Sequence, residues 1–263
     1  MFAKLLKMEF RSTWNILGIL CLSLVGAGLL GGFASRYLLW SSMREQELAW
    51  ADILCVLVLI TAFLFFAVCG AAALIVVTVR FYRSRFTDEG YLTFTLPVTT
   101  HQVLLSSFVS SALNMLIVGA VICVSLVLLG LFMVSGLEGF WSRMSELYPI
   151  LWEKLRQLLD WETLRVLGLF LADAVTGSAC ELVLIMLAVT IGSLAAKKHK
   201  ILAAFAFYYI LHVAIFTVSG IALVKLADTP EGVFGFWAAV NLVIAVVGYF
   251  LMYFLVDKKL NLN

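Results

Sequence analysis

Six apolar stretches, each long enough to cross a lipid bilayer, constrain this chain more than any other feature. A bilayer-crossing helix needs roughly 20 mostly apolar residues, because lipid offers no partner to unsatisfied backbone groups. The stretches are approximately 15–38, 53–79, 107–135, 167–195, 201–225 and 233–256. Because they are continuous, they predict an all-α, polytopic membrane protein with a single transmembrane domain over residues 1–263.

Composition excludes the soluble alternative. Apolar residues make up 63% of the chain and charged residues only 13%. A soluble domain is roughly 45–50% apolar, even with glycine counted, and about 25% charged. A soluble globule is therefore ruled out.

The few charges also orient the six spans, since cytoplasmic loops carry an excess of Lys and Arg. If the N-terminus lies inside, the cytoplasmic segments hold 11 of the 18 basic residues and four of the 16 acidic ones. The outer segments then hold seven basic and ten acidic residues. We therefore expect the N- and C-termini in the cytoplasm.

Three segments outside the spans have predicted roles. Residues 1–13 place their basic side chains on one stripe and apolar ones opposite, which predicts a cytoplasmic interfacial helix; an ordinary positive flank is the alternative. Residues 136–165 are rich in Trp and Tyr, which prefer the headgroup level, so we expect extracellular interfacial helices there. The third segment, 80–106, begins with basic residues expected at the inner headgroups: Arg80, Arg83 and Arg85.

The rest of the 80–106 segment reads as a turn followed by a helix start. The turn signal consists of Asp88, Glu89 and Gly90, where glycine can take a positive φ and end the preceding helix. Pro97 then disfavours helix at the residue before it. Thr99 and Gln102 have the spacing of a capping box, so a short helix is predicted to open there and run into the third span.

The string DEGYLTFTLPVTTHQVLLSS, which starts at Asp88, resembles the cytoplasmic loop of ABC-2-type permease subunits. In that family a GYL-TLPV-…-Q-LLS segment joins the second and third of six spans. The resemblance implies an ABC-2 (type V) exporter-like fold and a coupling helix that docks on a separate nucleotide-binding subunit. The implied coupling residues are Asp88, Glu89 and Gly90 in the approach and Pro97, Thr99, Thr100, His101 and Gln102 in the helix. Residues 1–13 would correspond to the family's connecting helix.

The resemblance further implies a permease subunit of an ATP-binding cassette exporter in a bacterial plasma membrane. Its partners would be two ATPase subunits, which carry the ATP and Mg, and a second permease, as a homodimer or heterodimer. The chain itself has no G-x-x-x-x-G-K-[ST], H-E-x-x-H or G-x-S-x-G motif, so we expect no catalysis, cofactor or metal in it. No nucleic-acid partner is expected.

The resemblance to small bacterial exporters of phenol-soluble-modulin and bacteriocin type favours amphipathic toxin or antimicrobial peptides as cargo. Export of drugs, lipids or polysaccharide is the alternative. A non-transporting membrane sensor or immunity protein is the alternative from another class.

Polar residues within the spans are the candidates for the translocation path, because a charge in the membrane normally faces a cavity or a partner. They are Glu181, Asp173 and Asn114. Glu181 either lines the path or is hydrogen-bonded to a neighbouring span, through Asn114, His212 or Asn241. For Asp173 we expect an acid near the interface that reaches water.

Gly28 and Gly32 form a small-x-x-x-small pattern on the first span, which allows close helix packing. They are candidates for a dimer contact between two copies, or equally for packing within one chain.

Overall fold

The computed structural model of the chain describes residues 2–42, 50–87, 90, 98–135, 140–158, 160–196, 198–226 and 229–259. Within these ranges it contains seven α-helices and no strand. The helices are α1 Phe2–Ser42, α2 Trp50–Phe86, α3 Thr100–Val134, α4 Phe140–Leu158, α5 Trp161–Ala195, α6 Lys200–Leu226 and α7 Pro230–Lys259. All but α4 are long and apolar enough to span a membrane, which confirms the predicted number of six.

The spanning helices extend beyond the apolar stretches from which they were predicted. At 1.5 Å per residue, the 41 residues of α1 measure about 60 Å, twice the roughly 30 Å of a hydrocarbon core. The segment 1–13 is therefore the first part of one continuous helix. In the same way, α3 starts at Thr100, so the part of the expected coupling segment from Thr100 onward is the beginning of the spanning helix itself.

The chain divides into two compact units. The first unit comprises residues 1–10, 78–112 and 158–263 and is organised around α5, against which α6 and α7 pack. In the most apolar 18-residue stretch of α5, half of the residues are buried, compared with 6% in the corresponding stretch of α6. Small residues let the helices approach: a Cβ added to Gly192 would lie 2.5 Å from the backbone nitrogen of Ala204 in α6.

The core of this first unit is formed where the C-terminal part of α2 and the N-terminal part of α3 pack against α5 and α7. Its fully or nearly buried apolar side chains are Phe81, Leu104, Met186, Leu187, Val189, Met252 and Val256. These side chains are closely packed, and close packing fixes the positions of the polar residues between them.

The second unit comprises residues 11–77 and 113–157 and packs α1, α2 and α3 around an apolar core that includes Leu24, Phe66 and Val118. Gly28 and Gly32 lie in it and are buried. A Cβ on Gly28 would come within 2.7 Å of the backbone oxygen of Ser125, and one on Gly32 within 2.7 Å of the Cβ of Phe132. These contacts with α3 account for both glycines within a single chain.

Outside the two cores, large apolar side chains are exposed along the spanning helices. Leu22, Leu202 and Tyr209 are each at least 70% exposed, which would be costly in water. Their exposure is explained if the surrounding solvent is lipid. Length, apolarity and surface together define a multi-pass helical membrane protein.

Candidate functional site

The first turn of α3 is capped as the sequence predicts. The hydroxyl of Thr99 accepts a hydrogen bond from the backbone N–H of Gln102 at 3.3 Å, and the carbonyl of Thr99 accepts from Val103 N–H at 3.1 Å. The Thr99 side chain thus satisfies one of the backbone donors that a helix leaves unpaired at its start. The predicted N-cap is confirmed.

This first turn is fastened to the last turns of α7. The Thr100 hydroxyl donates to Oδ1 of Asp257 at 3.1 Å. The hydroxyl of Tyr249 lies 2.7 Å from Nδ1 of His101, and the His101 ring makes edge contacts with Tyr249 and Tyr253. His101 remains exposed, so its outer edge is accessible to another molecule.

The approach to this helix is described only in part. Asp88, Glu89 and Pro97 lie outside the described residues. Gly90 is buried and its N–H donates to the carbonyl of Thr87 at 2.8 Å. The expectation of a positive φ at Gly90 is wrong: the residue is needed because a Cβ there would lie 2.5 Å from the Arg85 carbonyl oxygen.

A buried ion-pair cluster, which we call the Glu9 cluster, joins α1, α2 and α3 within the first unit. Nη2 of Arg85 lies 2.8 Å from Oε1 of Glu9 and also donates to the carbonyl of Val103 at 3.0 Å and to the Ser107 hydroxyl. The Ser107 hydroxyl donates to the same Glu9 oxygen at 3.3 Å. Nε of Arg80 lies 3.7 Å from the other carboxylate oxygen.

The Glu9 cluster corrects the sequence-based placement of Arg85, which was expected at the lipid headgroups. Arg85 is 2% exposed and Glu9 is 4% exposed, whereas Arg83 is exposed as expected. Glu9 was not among the predicted site residues. In the structure Glu9 shares one face of α1 with Leu5 and Thr13, four residues to either side, and all three are buried.

A second polar group, which we call the Glu181 cluster, lies between α5 and α6. The Tyr208 hydroxyl donates to Oε1 of Glu181, and Nδ1 of His212 lies 3.8 Å from Oε2. The Glu181 side chain is 35% exposed and that of His212 is 52% exposed. Of the three partners considered from the sequence, His212 is the one close to Glu181, and Tyr208 was missed.

The other two candidates of the path have separate partners. Asp173, half-buried, accepts a hydrogen bond from the amide of Asn241 in α7 at 3.1 Å. Asn114 is buried and donates to the hydroxyl of Thr13 at 3.0 Å, within the second unit. Glu181 and Asp173 are therefore both partly exposed, whereas Asn114 is buried.

Metal binding finds no support in the described ranges, where no three His, Cys, Asp or Glu side chains come close enough together to hold an ion. No family model, no curated protein and no solved structure matches this chain.

Proposed function

We propose that this chain is the membrane subunit of an ATP-driven exporter of ABC-2 type, working with a second permease subunit and two copies of a separate ATPase. The proposal is supported by six helices able to span a membrane and by the permease-like string that precedes the third of them. The sequence contains no G-x-x-x-x-G-K-[ST] motif, and in our proposal the separate ATPase hydrolyses ATP.

The observation that carries the proposal is the attachment of the first turns of α3. Thr100 and His101 are hydrogen-bonded to α7, while Val103 and Ser107 are hydrogen-bonded to Arg85 of α2, which holds Glu9 of α1. A partner that presses on this turn therefore moves four helices together. Closure of the ATPases on ATP would supply that push and open a path outward.

The cargo we propose is an amphipathic peptide of toxin or antimicrobial type. A half-exposed carboxylate within a span attracts cationic or hydrogen-bond-donating groups, and Glu181 is such a carboxylate. The large apolar surface of α6 around His212 suits the apolar face of the same peptide.

The coupling step is tested by replacing Thr99–Gln102 with Gly and Ser. We expect loss of the copurifying ATP-hydrolysing chain and of ATP-dependent export. The matched control replaces Trp152–Lys154, which is exposed in α4, and should leave both intact. If no ATPase copurifies with the wild-type protein and the Thr99–Gln102 replacement leaves its activity unchanged, the coupling proposal fails. The chain would then act in another way, such as a sensor or an immunity protein.

The cargo assignment is tested with Glu181→Gln, measured as export of a labelled cationic amphipathic peptide from cells or vesicles. We expect export to fall at least tenfold at an unchanged protein level. Glu162→Gln, at an exposed position in the first turn of α5, is the control. If the protein exports drugs, lipids or polysaccharide but does not export the peptide, the peptide assignment is overturned.

A further inference from the structure

A cavity of about 660 Å³ lies in the first unit, where α6 begins beside the end of α2. Its polar lining is formed by Tyr82, Lys198, His199 and Lys200. Its apolar lining is formed by Ile201, Leu202 and Phe205, all on the first turns of α6. The cavity is of the size that holds a small organic ligand or a lipid headgroup.

The charge of this cavity is positive. Among the described residues that line it, two lysines and a histidine are present and none is acidic. Lys198 and His199 are exposed and Lys200 is half-exposed, so their polar ends are accessible to a ligand. Such a site favours an anion with several acceptor oxygens, such as a phosphate group.

The apolar side of the cavity indicates what else the ligand contains. Ile201, Leu202 and Phe205 are each at least 60% exposed and directly follow the basic residues along a membrane-spanning helix. A free inorganic anion would leave this apolar surface exposed, whereas acyl chains would cover it. Tyr82, held by stacking on Phe86 at 6.2 Å between ring centres, is of the type that lies at headgroup depth.

We propose that this cavity binds an anionic phospholipid. The lipid phosphate lies between Lys198, His199 and Lys200, and one acyl chain runs along Ile201, Leu202 and Phe205. Basic pockets at the membrane surface select anionic headgroups in this manner. The proposal does not depend on the exporter function, because it concerns binding alone.

The test is native mass spectrometry of the full chain in detergent, with an equimolar mixture of phosphatidylglycerol and phosphatidylcholine of the same acyl chains. We expect a preference for phosphatidylglycerol that falls about 25-fold in the double variant K198Q/K200Q, since each basic residue near an anionic surface raises the affinity roughly fivefold. The conservative pair K198R/K200R should keep the preference. The matched control is K4Q/K7Q, which removes two exposed lysines at the start of α1 and should also keep it.

Three results would overturn the proposal. One is an equal affinity for the two lipids in the wild-type protein, and another is an unchanged preference in K198Q/K200Q. The third is displacement of phosphatidylglycerol by millimolar inorganic phosphate, which would define a simple anion site without a role for the acyl chain. If phosphatidylglycerol stays bound in the presence of millimolar inorganic phosphate, the result supports a phospholipid site.

Discussion

Two carboxylates in this protein lie within long apolar helices and are stabilised in opposite ways. Glu9 is 4% exposed and faces the guanidinium of Arg85 at 2.8 Å, with Arg80 and the Ser107 hydroxyl on its other sides. Glu181 is 35% exposed and has a tyrosine hydroxyl and a histidine as neighbours. The first is enclosed and charge-paired, while the second keeps an open side.

The difference separates a structural charge from an available one. Removing one partner of a buried ion pair leaves an uncompensated charge in a medium of low dielectric constant, so the Glu9 cluster is expected to hold α1, α2 and α3 in fixed positions. A carboxylate with an open side can still accept a ligand, and its loss costs little stability.

The largest effect is expected for Glu9→Gln. The substitution leaves Arg85 buried without its anion and should lower the free energy of unfolding by about 3–5 kcal/mol. SDS titration at neutral pH, followed by circular dichroism, measures it. Glu153→Gln, at an exposed position of α4, should change the same quantity by less than about 0.5 kcal/mol.

A double variant sharpens this result. In Glu9→Leu with Arg85→Met both charges are removed, so most of the lost stability should return, because an apolar pair can replace a buried ion pair at little cost. A Glu9→Gln protein as stable as the wild type would show that Glu9 does not brace the three helices.

An intermediate effect is expected for Gly192→Ala, which changes the packing between α5 and α6, the two helices that carry the Glu181 cluster. The added methyl would lie 2.5 Å from the backbone nitrogen of Ala204 and should force α5 and α6 apart. We expect a loss of about 1–3 kcal/mol in the free energy of unfolding. Gly168→Ala, also in α5, meets nothing within 4 Å and should be neutral or slightly stabilising. Equal effects of the two alanines would mean that α5 and α6 are not in contact at Gly192.

The smallest effect is expected for Glu181→Gln measured as stability. The glutamine oxygen can still accept from Tyr208, and the partly exposed His212 contact contributes little, so the free energy of unfolding should change by about 1 kcal/mol or less. A loss as large as that of Glu9→Gln would erase the distinction between the two clusters and assign Glu181 a structural role.

The number and type of the spanning helices could be predicted from the sequence, because the bilayer requires long runs of apolar residues with internally bonded backbone. The cap at Thr99 was equally readable, since it depends on residues three positions apart. The helix limits were not: α1 and α2 extend well beyond their apolar runs, because polar residues at helix ends continue the same backbone hydrogen bonding.

The partners of the polar residues were the least predictable part. Glu9 and Arg85 are 76 residues apart, and Glu181 and Tyr208 are 27 residues apart on different helices. Arg85 follows an apolar run in a basic stretch, which is also typical of a residue at the lipid headgroups. The periodicity of residues 1–13 predicted an apolar face of α1, but it did not show which helices pack against that face.

The sequence by itself determined that this is an all-helical membrane protein with six spans, because hydrophobic length and backbone hydrogen bonding are local properties of the chain. Only the tertiary structure decided which charges are enclosed and which stay open. The reason is that burial and pairing depend on contacts between helices distant in sequence, as when Arg85 turns inward to Glu9 while Arg83, two residues before it, remains exposed.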